Sequence, residues 1–168
     1  MLYFAYGSNM SVPRLLNRVP SAVAVDTGYL YKHTLVFHKP GRKDGSGKCD
    51  AYETGKHSDF LMGVVYRIDP EHKHILDKVE GRGNGYEVKH VTITTCSNRE
   101  VSAFTYYATR TSRDLRPFHW YKEHVLYGAR EHGLSPEYIE KIISTASVQD
   151  PCHDRVKEEL SIYSSQLP

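Results

Sequence analysis

The opening residues, Met1-Leu-Tyr-Phe-Ala-Tyr-Gly-Ser-Asn-Met10, constrain the fold more than any other stretch. Leu2 to Tyr6 is an aromatic, apolar run suited to a short buried strand. It stops at Gly7, a residue free to take a positive φ. Ser8 and Asn9 follow, both good helix N-caps, and Ser11-Val-Pro13-Arg-Leu-Leu-Asn17 opens a helical pattern with proline in its first turn. Strand, glycine turn and helix start, in that order, aim several backbone N–H groups at one spot where a helix dipole favours negative charge. Such a corner suits a carboxylate, a phosphate or a developing oxyanion. An ordinary glycine turn between a strand and a helix fits Tyr6-Gly7-Ser8-Asn9 equally well.

Further along, Ser21–Val25 and Tyr29–His38 read as strands, rich in β-branched and aromatic residues. Lys39–Lys48 is a basic, glycine-rich loop, and Ala51–Glu53 a short strand. Phe60–Ile68 is almost continuously apolar, which predicts a strand buried on both faces. Asp69-Pro70 caps a helix over Glu71–Val79 that Glu80-Gly81 ends, before a turn at Arg82-Gly83-Asn84-Gly85. Tyr86–Thr95 and Val101–Thr109 alternate as an antiparallel pair around Cys96–Arg99. From Pro117 the pattern is helical: Phe118–Glu131 ending at Gly133, then Pro136–Ala146, then a weaker helix near Asp154–Ser164. The 168 residues suit one domain, 1–168, with a real core. The order predicts an α+β fold, a mixed sheet or small barrel with helices gathered towards the C-terminus.

Several chemistries drop out. With 22 Lys and Arg against 20 Asp and Glu, the net charge of +2 gives no hint of nucleic acid. Cys49, Cys96 and Cys152 are far apart with no CxxC pair, which argues for a reducing compartment and against a structural zinc site. No stretch approaches the ~20 apolar residues of a membrane span, so the chain reads as soluble and cytoplasmic. Gly41 to Lys48 is out of register for a Walker A loop, and Cys49 stands where Ser or Thr is needed. Gly81-x-Gly83-x-Gly85 follows a helix instead of a strand, so it is no dinucleotide fingerprint. His72 and His74 point to different helix faces, His119 and His124 are wrongly spaced, and no HExxH occurs, so no metal is expected. Cys152-His153 are sequence neighbours, which does not make a nucleophile–base pair.

Glu80 stands out among the acids. It sits where an apolar helix face ends, directly before a glycine-rich turn, a place partly withdrawn from water as a general base is. A plain helix-end glutamate is the alternative, although its charge opposes the dipole there.

Two motifs together carry a family resemblance. Tyr3-Phe-Ala-Tyr-Gly-Ser-Asn-Met10, followed later by Leu76-Asp-Lys-Val-Glu80-Gly81 and Gly85-Tyr86, resembles the γ-glutamylcyclotransferase family. Met62-Gly-Val-Val-Tyr66 and Trp120-Tyr121 with Tyr127-Gly-Ala-Arg-Glu-His-Gly133 match as well, so the likeness covers nearly the whole chain. The resemblance implies a small mixed β-barrel flanked by α-helices, and an enzyme that releases 5-oxoproline from a small-molecule γ-glutamyl substrate. It implies that Tyr6, Gly7, Ser8 and Asn9 grip the γ-glutamyl group and that Glu80 is the catalytic acid/base. It also implies substrate-side tyrosines at Tyr86, after a turn one residue shorter than in some relatives, and at Tyr121. The resemblance allows a homodimer. The opening Phe4-Ala5-Tyr6 favours this branch over the related glutathione-specific one.

The chemistry is compatible. Cyclisation needs the substrate's α-amino nitrogen to attack its own side-chain amide carbon, and an α-amine of reference pKa about 7.7–8.0 needs a base at pH 7. No metal, nucleotide or other cofactor is required. Two other readings remain open: a non-catalytic small-molecule-binding or regulatory domain on the same scaffold, and a tailoring enzyme that removes a γ-glutamyl protecting group from a larger amine.

Overall fold

A computed structural model describes residues 1–164; residues 165–168, the end of the expected 1–168 span, lie outside the described residues. The chain runs β1 (Leu2–Ala5), a 3₁₀ turn (Ser8–Met10), α1 (Val12–Leu16), β2 (Val23–Tyr31), β3 (His33–Pro40), β4 (Gly47–Glu53) and β5 (Phe60–Arg67). Then follow α2 (Lys73–Glu80), β6 (Tyr86–Thr95), β7 (Glu100–Ala108), α3 (His119–Glu131), α4 (Pro136–Ile143) and α5 (His153–Leu160).

Five strands close a mixed barrel in the order β1-β5-β2-β6-β7, while β3 and β4 form a separate two-stranded sheet. Strand β5 lies between β1 and β2, antiparallel to both. Every residue between its ends is buried, as its unbroken apolar run predicts. The barrel closes where β1 meets β7 in parallel, Tyr3 opposite Phe104. Phe4, Leu61, Val64, Ile93 and Phe104 are fully buried in the core. Truncating Phe104 to Ala is expected to cost about 3–5 kcal/mol.

Several boundaries differ from the sequence reading, among them the strands expected at Ser21–Val25 and from Tyr29, which join as β2, and two differences reshape the sheets. The strand expected over Tyr29–His38 breaks at Lys32, whose φ is 62°. A lysine in the left-handed region ends strand geometry, so the chain leaves the barrel there for the β3–β4 hairpin. The expected loop Lys39–Lys48 is also shorter, because Lys39 pairs with Lys48 and Pro40 with Gly47 across that hairpin.

The helices bind the opening motif to the rest. At Gly128, in α3, a side chain's Cβ would come within 2.4 Å of the Ser11 nitrogen and 2.5 Å of the Met10 Cβ. Glycine there lets α3 lie directly against the Ser8–Met10 turn. Trp120 Nε1, also on α3, donates to Asp150 at 2.7 Å. No helix among the described residues is long and apolar enough to cross a membrane.

Candidate active site

Helix α2 ends at Glu80 because Gly81 takes the left-handed conformation, φ 75° and ψ 45°. One turn earlier Asp77 anchors the helix to the barrel. Its carboxylate accepts from Tyr106 Oη at 2.6 Å and from Lys73 Nζ at 2.7 Å. Burial opposes ionisation of Asp77, yet the hydrogen bonds from Lys73, Tyr106 and Arg82 hold its carboxyl below the usual range. Glu80 is thereby presented, about four-fifths buried, to the turn that follows β1.

All seven residues singled out in the sequence line one small cavity: Tyr6, Gly7, Ser8, Asn9, Glu80, Tyr86 and Tyr121. Tyr3, Cys49 and Tyr106 complete its wall. Two local expectations need correction. Gly7 has φ −116°, so no positive φ calls for glycine. Space calls for it instead, since a Cβ there would lie 3.0 Å from the Cys49 Cβ and 3.2 Å from its Sγ. Ser8 and Asn9 are not caps either, for both lie inside the 3₁₀ turn, and neither turn nor helix start there has a side-chain cap.

The Asn9 side chain is instead held among charged and phenolic groups. Its Nδ2 donates to Glu80 Oε1 at 2.7 Å and to Tyr3 Oη at 3.1 Å. Its Oδ1 accepts from Arg18 Nη1 at 2.6 Å. The same guanidinium nitrogen lies 3.7 Å from Glu80 Oε1. Among the described residues Glu80 Oε2 and the Ser8 hydroxyl have no partner.

The surrounding phenols are buried and stay protonated. Tyr6 Oη donates to the Tyr106 carbonyl at 2.6 Å, and Tyr86 Oη donates to the Cys49 carbonyl. Tyr121 Oη accepts from the Cys49 N–H at 3.2 Å. Burial pushes Tyr3, Tyr6, Tyr86 and Tyr121 well above the ordinary phenol value, so none serves as a base near neutrality. Burial likewise pushes the Cys49 thiol up to about 12, which removes it as a thiolate nucleophile. Lys39 packs its ammonium 4.6 Å from the centre of the Tyr86 ring. Among the described residues no three His, Cys, Asp or Glu side chains gather for a metal ion. Glu80 is left as the acid/base candidate in the cavity.

Sequence reasoning missed Tyr3, Cys49 and Tyr106 as wall residues and Arg18 as a partner of Asn9. Tyr3 and Tyr106 carry a faint signal, since each lies two residues from another buried aromatic or small side chain on its strand. Cys49 and Arg18 carry none, because only the tertiary fold brings them to the site.

A closed mixed barrel, flanked by helices and carrying one carboxylate in a tyrosine-lined pocket beside a Tyr-Gly-Ser-Asn turn, defines a class of small enzymes. Residues 61–142 match the model of the AIG2-like family. Bovine γ-glutamylcyclotransferase is 34% identical over 148 residues, covering 85% of this chain and 77% of that protein. The human γ-glutamylcyclotransferase is 31% identical over 166 residues, covering 94% and 88%. A solved γ-glutamyl cyclotransferase superposes with a TM-score of 0.86 at 26% identity, over 96% of this chain and 98% of that one. The crystal structure of an uncharacterized human protein gives a TM-score of 0.84 at 27% identity, over 95% and 97%. The chain belongs to the γ-glutamylcyclotransferase family.

Proposed function

We propose that this protein is a γ-glutamyl cyclotransferase, closing a γ-glutamyl group on itself to release 5-oxoproline and a free amine. The observation that carries this reading is the meeting of Glu80 with the Tyr6–Asn9 loop in one small cavity. The substrate is held folded back, with its α-amino nitrogen against its own γ-carbonyl carbon. Holding that conformer supplies much of the rate, because the attack is intramolecular.

The α-ammonium first loses one proton, through Glu80 to solvent. The neutral nitrogen then attacks the γ-carbonyl carbon, and the π pair moves onto oxygen. Glu80 takes a second proton from that nitrogen and returns it to the departing nitrogen as the original amide C–N bond breaks. Oε2, the oxygen left without a protein partner among the described residues, suits this transfer. The Gly7–Ser8 backbone and the Ser8 hydroxyl suit the oxyanion and the substrate's α-carboxylate. Tyr86 and Tyr121, tied to the backbone of Cys49, complete the lining beside that turn. The three cysteines are unpaired, which fits a reducing compartment such as the cytoplasm.

The test is a panel of donors scored for 5-oxoproline by mass spectrometry: γ-glutamyl-L-alanine, glutathione, γ-glutamylputrescine and Nε-γ-glutamyl-lysine. Turnover of at least one, without added metal, is expected. Binding without turnover of any donor would instead indicate a regulatory domain on the same scaffold.

A further inference from the structure

We propose that Arg18 is a positioning residue for Glu80, acting through the side-chain amide of Asn9; the inference rests on Glu80 being the acid/base of the reaction above. A guanidinium only donates hydrogen bonds and a carboxylate only accepts them. Asn9 lies between the two, 2.6 Å from Arg18 Nη1 and 2.7 Å from Glu80 Oε1. Its amide therefore has one orientation, oxygen to Arg18 and NH₂ to Glu80. With Arg18 removed, nothing on the Oδ1 side prevents the amide from turning over, and the turned amide presents oxygen to oxygen. The guanidinium also polarises the amide, strengthening its hold on the carboxylate.

Arg18 does not line the cavity, so it acts on the base and not on the substrate. It is fixed from behind, its backbone N–H bonded to the Leu15 carbonyl at 2.9 Å between the fully buried Leu15 and Val19. Asn9 correspondingly serves Glu80. Both ends of its side chain are engaged by protein groups, and Gly7 and Ser8 are left to face the γ-glutamyl group.

The experiment measures kcat and KM for 5-oxoproline release with the donor of highest turnover in the panel above. The variants are Arg18→Met, Arg18→Lys, Asn9→Ala, Asn9→Asp, the double variant Arg18→Met/Asn9→Ala, and Glu80→Gln. Arg18→Met should lower kcat roughly 10- to 100-fold, the loss expected for a hydrogen-bonded charged group. Its KM should stay within about threefold, since substrate contacts are untouched. Arg18→Lys keeps a charged donor and should recover most of kcat. The double variant should lose clearly less than the two single losses combined, because the main route from Arg18 to Glu80 runs through Asn9 and only the guanidinium's direct 3.7 Å approach to Oε1 is independent of it.

A rise in KM at unchanged kcat would make Arg18 a substrate ligand and overturn the proposal, as would additive losses in the double variant. If Arg18→Met fails to fold, Asn9→Asp carries the test. It keeps the shape but sets an acceptor against Glu80, so kcat should fall with KM kept, and a parent-like kcat would overturn the proposal. Glu80→Gln separates the two levels. If Glu80→Gln turns over like the parent, the reading of Glu80 fails; if it is inactive while Arg18→Met retains parent kcat, only the role of Arg18 fails.

Discussion

At Gly7 the atoms nearest the missing side chain belong to Cys49, with the Tyr121 hydroxyl 3.8 Å away. Because φ is negative there, substitution is opposed by crowding and not by backbone strain. Gly7→Ala should be tolerated at a modest loss, since Cys49 must yield a few tenths of an ångström. Gly7→Val, with two further methyls in a close-packed wall, should lower kcat/KM at least ~10²-fold while far-UV circular dichroism stays that of the parent. Normal turnover by Gly7→Val would take this turn out of the site. At this scale residue type and order drew attention to the Tyr-Gly-Ser-Asn turn and to Glu80 without deciding between a site and ordinary structure, and the family resemblance supplied their expected roles. Partnerships were not legible. Asn9 reads as a helix cap because Asn favours caps, and only the fold reveals Arg18 and Glu80 on either side of its amide.

Lys39 and Arg42, on the β3–β4 hairpin, bring positive charge close to Tyr86 and to the residue after Glu80, where the departing amine of the proposed reaction would meet it. Lys39 is 4% exposed, and its ammonium has no hydrogen bond or carboxylate partner among the described residues. Burial pulls its pKa down, partly offset by the charge of Glu80. A Cβ on Gly81 would sit 3.2 Å from Arg42 Nη1, so that guanidinium packs against the residue after Glu80. Donors whose departing amine carries a carboxylate should therefore have a lower KM than donors whose amine carries a second ammonium. Lys39→Met should narrow that difference roughly tenfold, and an unchanged ranking would exclude the hairpin from leaving-group choice. The hairpin was hard to read because the strand-like run through Tyr29–His38 does not reveal a left-handed Lys32. Residues 60–67 were easy, since burial on both faces demands an unbroken apolar run.

Barrel closure depends on β1 meeting β7 across most of the chain, a pairing that no local pattern encodes; element order suggested a mixed sheet or small barrel and the family resemblance a barrel, but neither named this pairing. The helical layer adds a buried polar cluster outside the site. His124 is fully buried, its Nδ1 2.7 Å from Tyr163 Oη and its Nε2 3.0 Å from Arg14 Nη1. Burial pushes the imidazole down from 6.5 to about 4. The unfolded chain therefore binds a proton before the folded one does, so stability is full above pH 6.5 and falls as pH drops towards 4. That linkage is worth on the order of 3 kcal/mol. His33 and His132, lowered by burial as well, act in the same direction. The hydrogen bond with His124 and the charge of Arg14 hold Glu159 at about 2 against burial, which extends the loss below pH 4. Thermal unfolding should show Tm falling between pH 6.5 and 4, with a shallower fall in His124→Gln. Identical slopes would remove His124 as a source of the acid sensitivity.

The reaction proposed for this molecule turns on one carboxylate, and Glu80→Gln probes it with the least disturbance to shape. Single-turnover formation of 5-oxoproline by purified Glu80→Gln, measured beside donor binding, is the direct test. The rate should fall at least ~10²-fold, the low end for general acid–base catalysis, while the donor still binds. Formation of 5-oxoproline at near the parent rate would mean that the base is another group and that Glu80 only braces the loop.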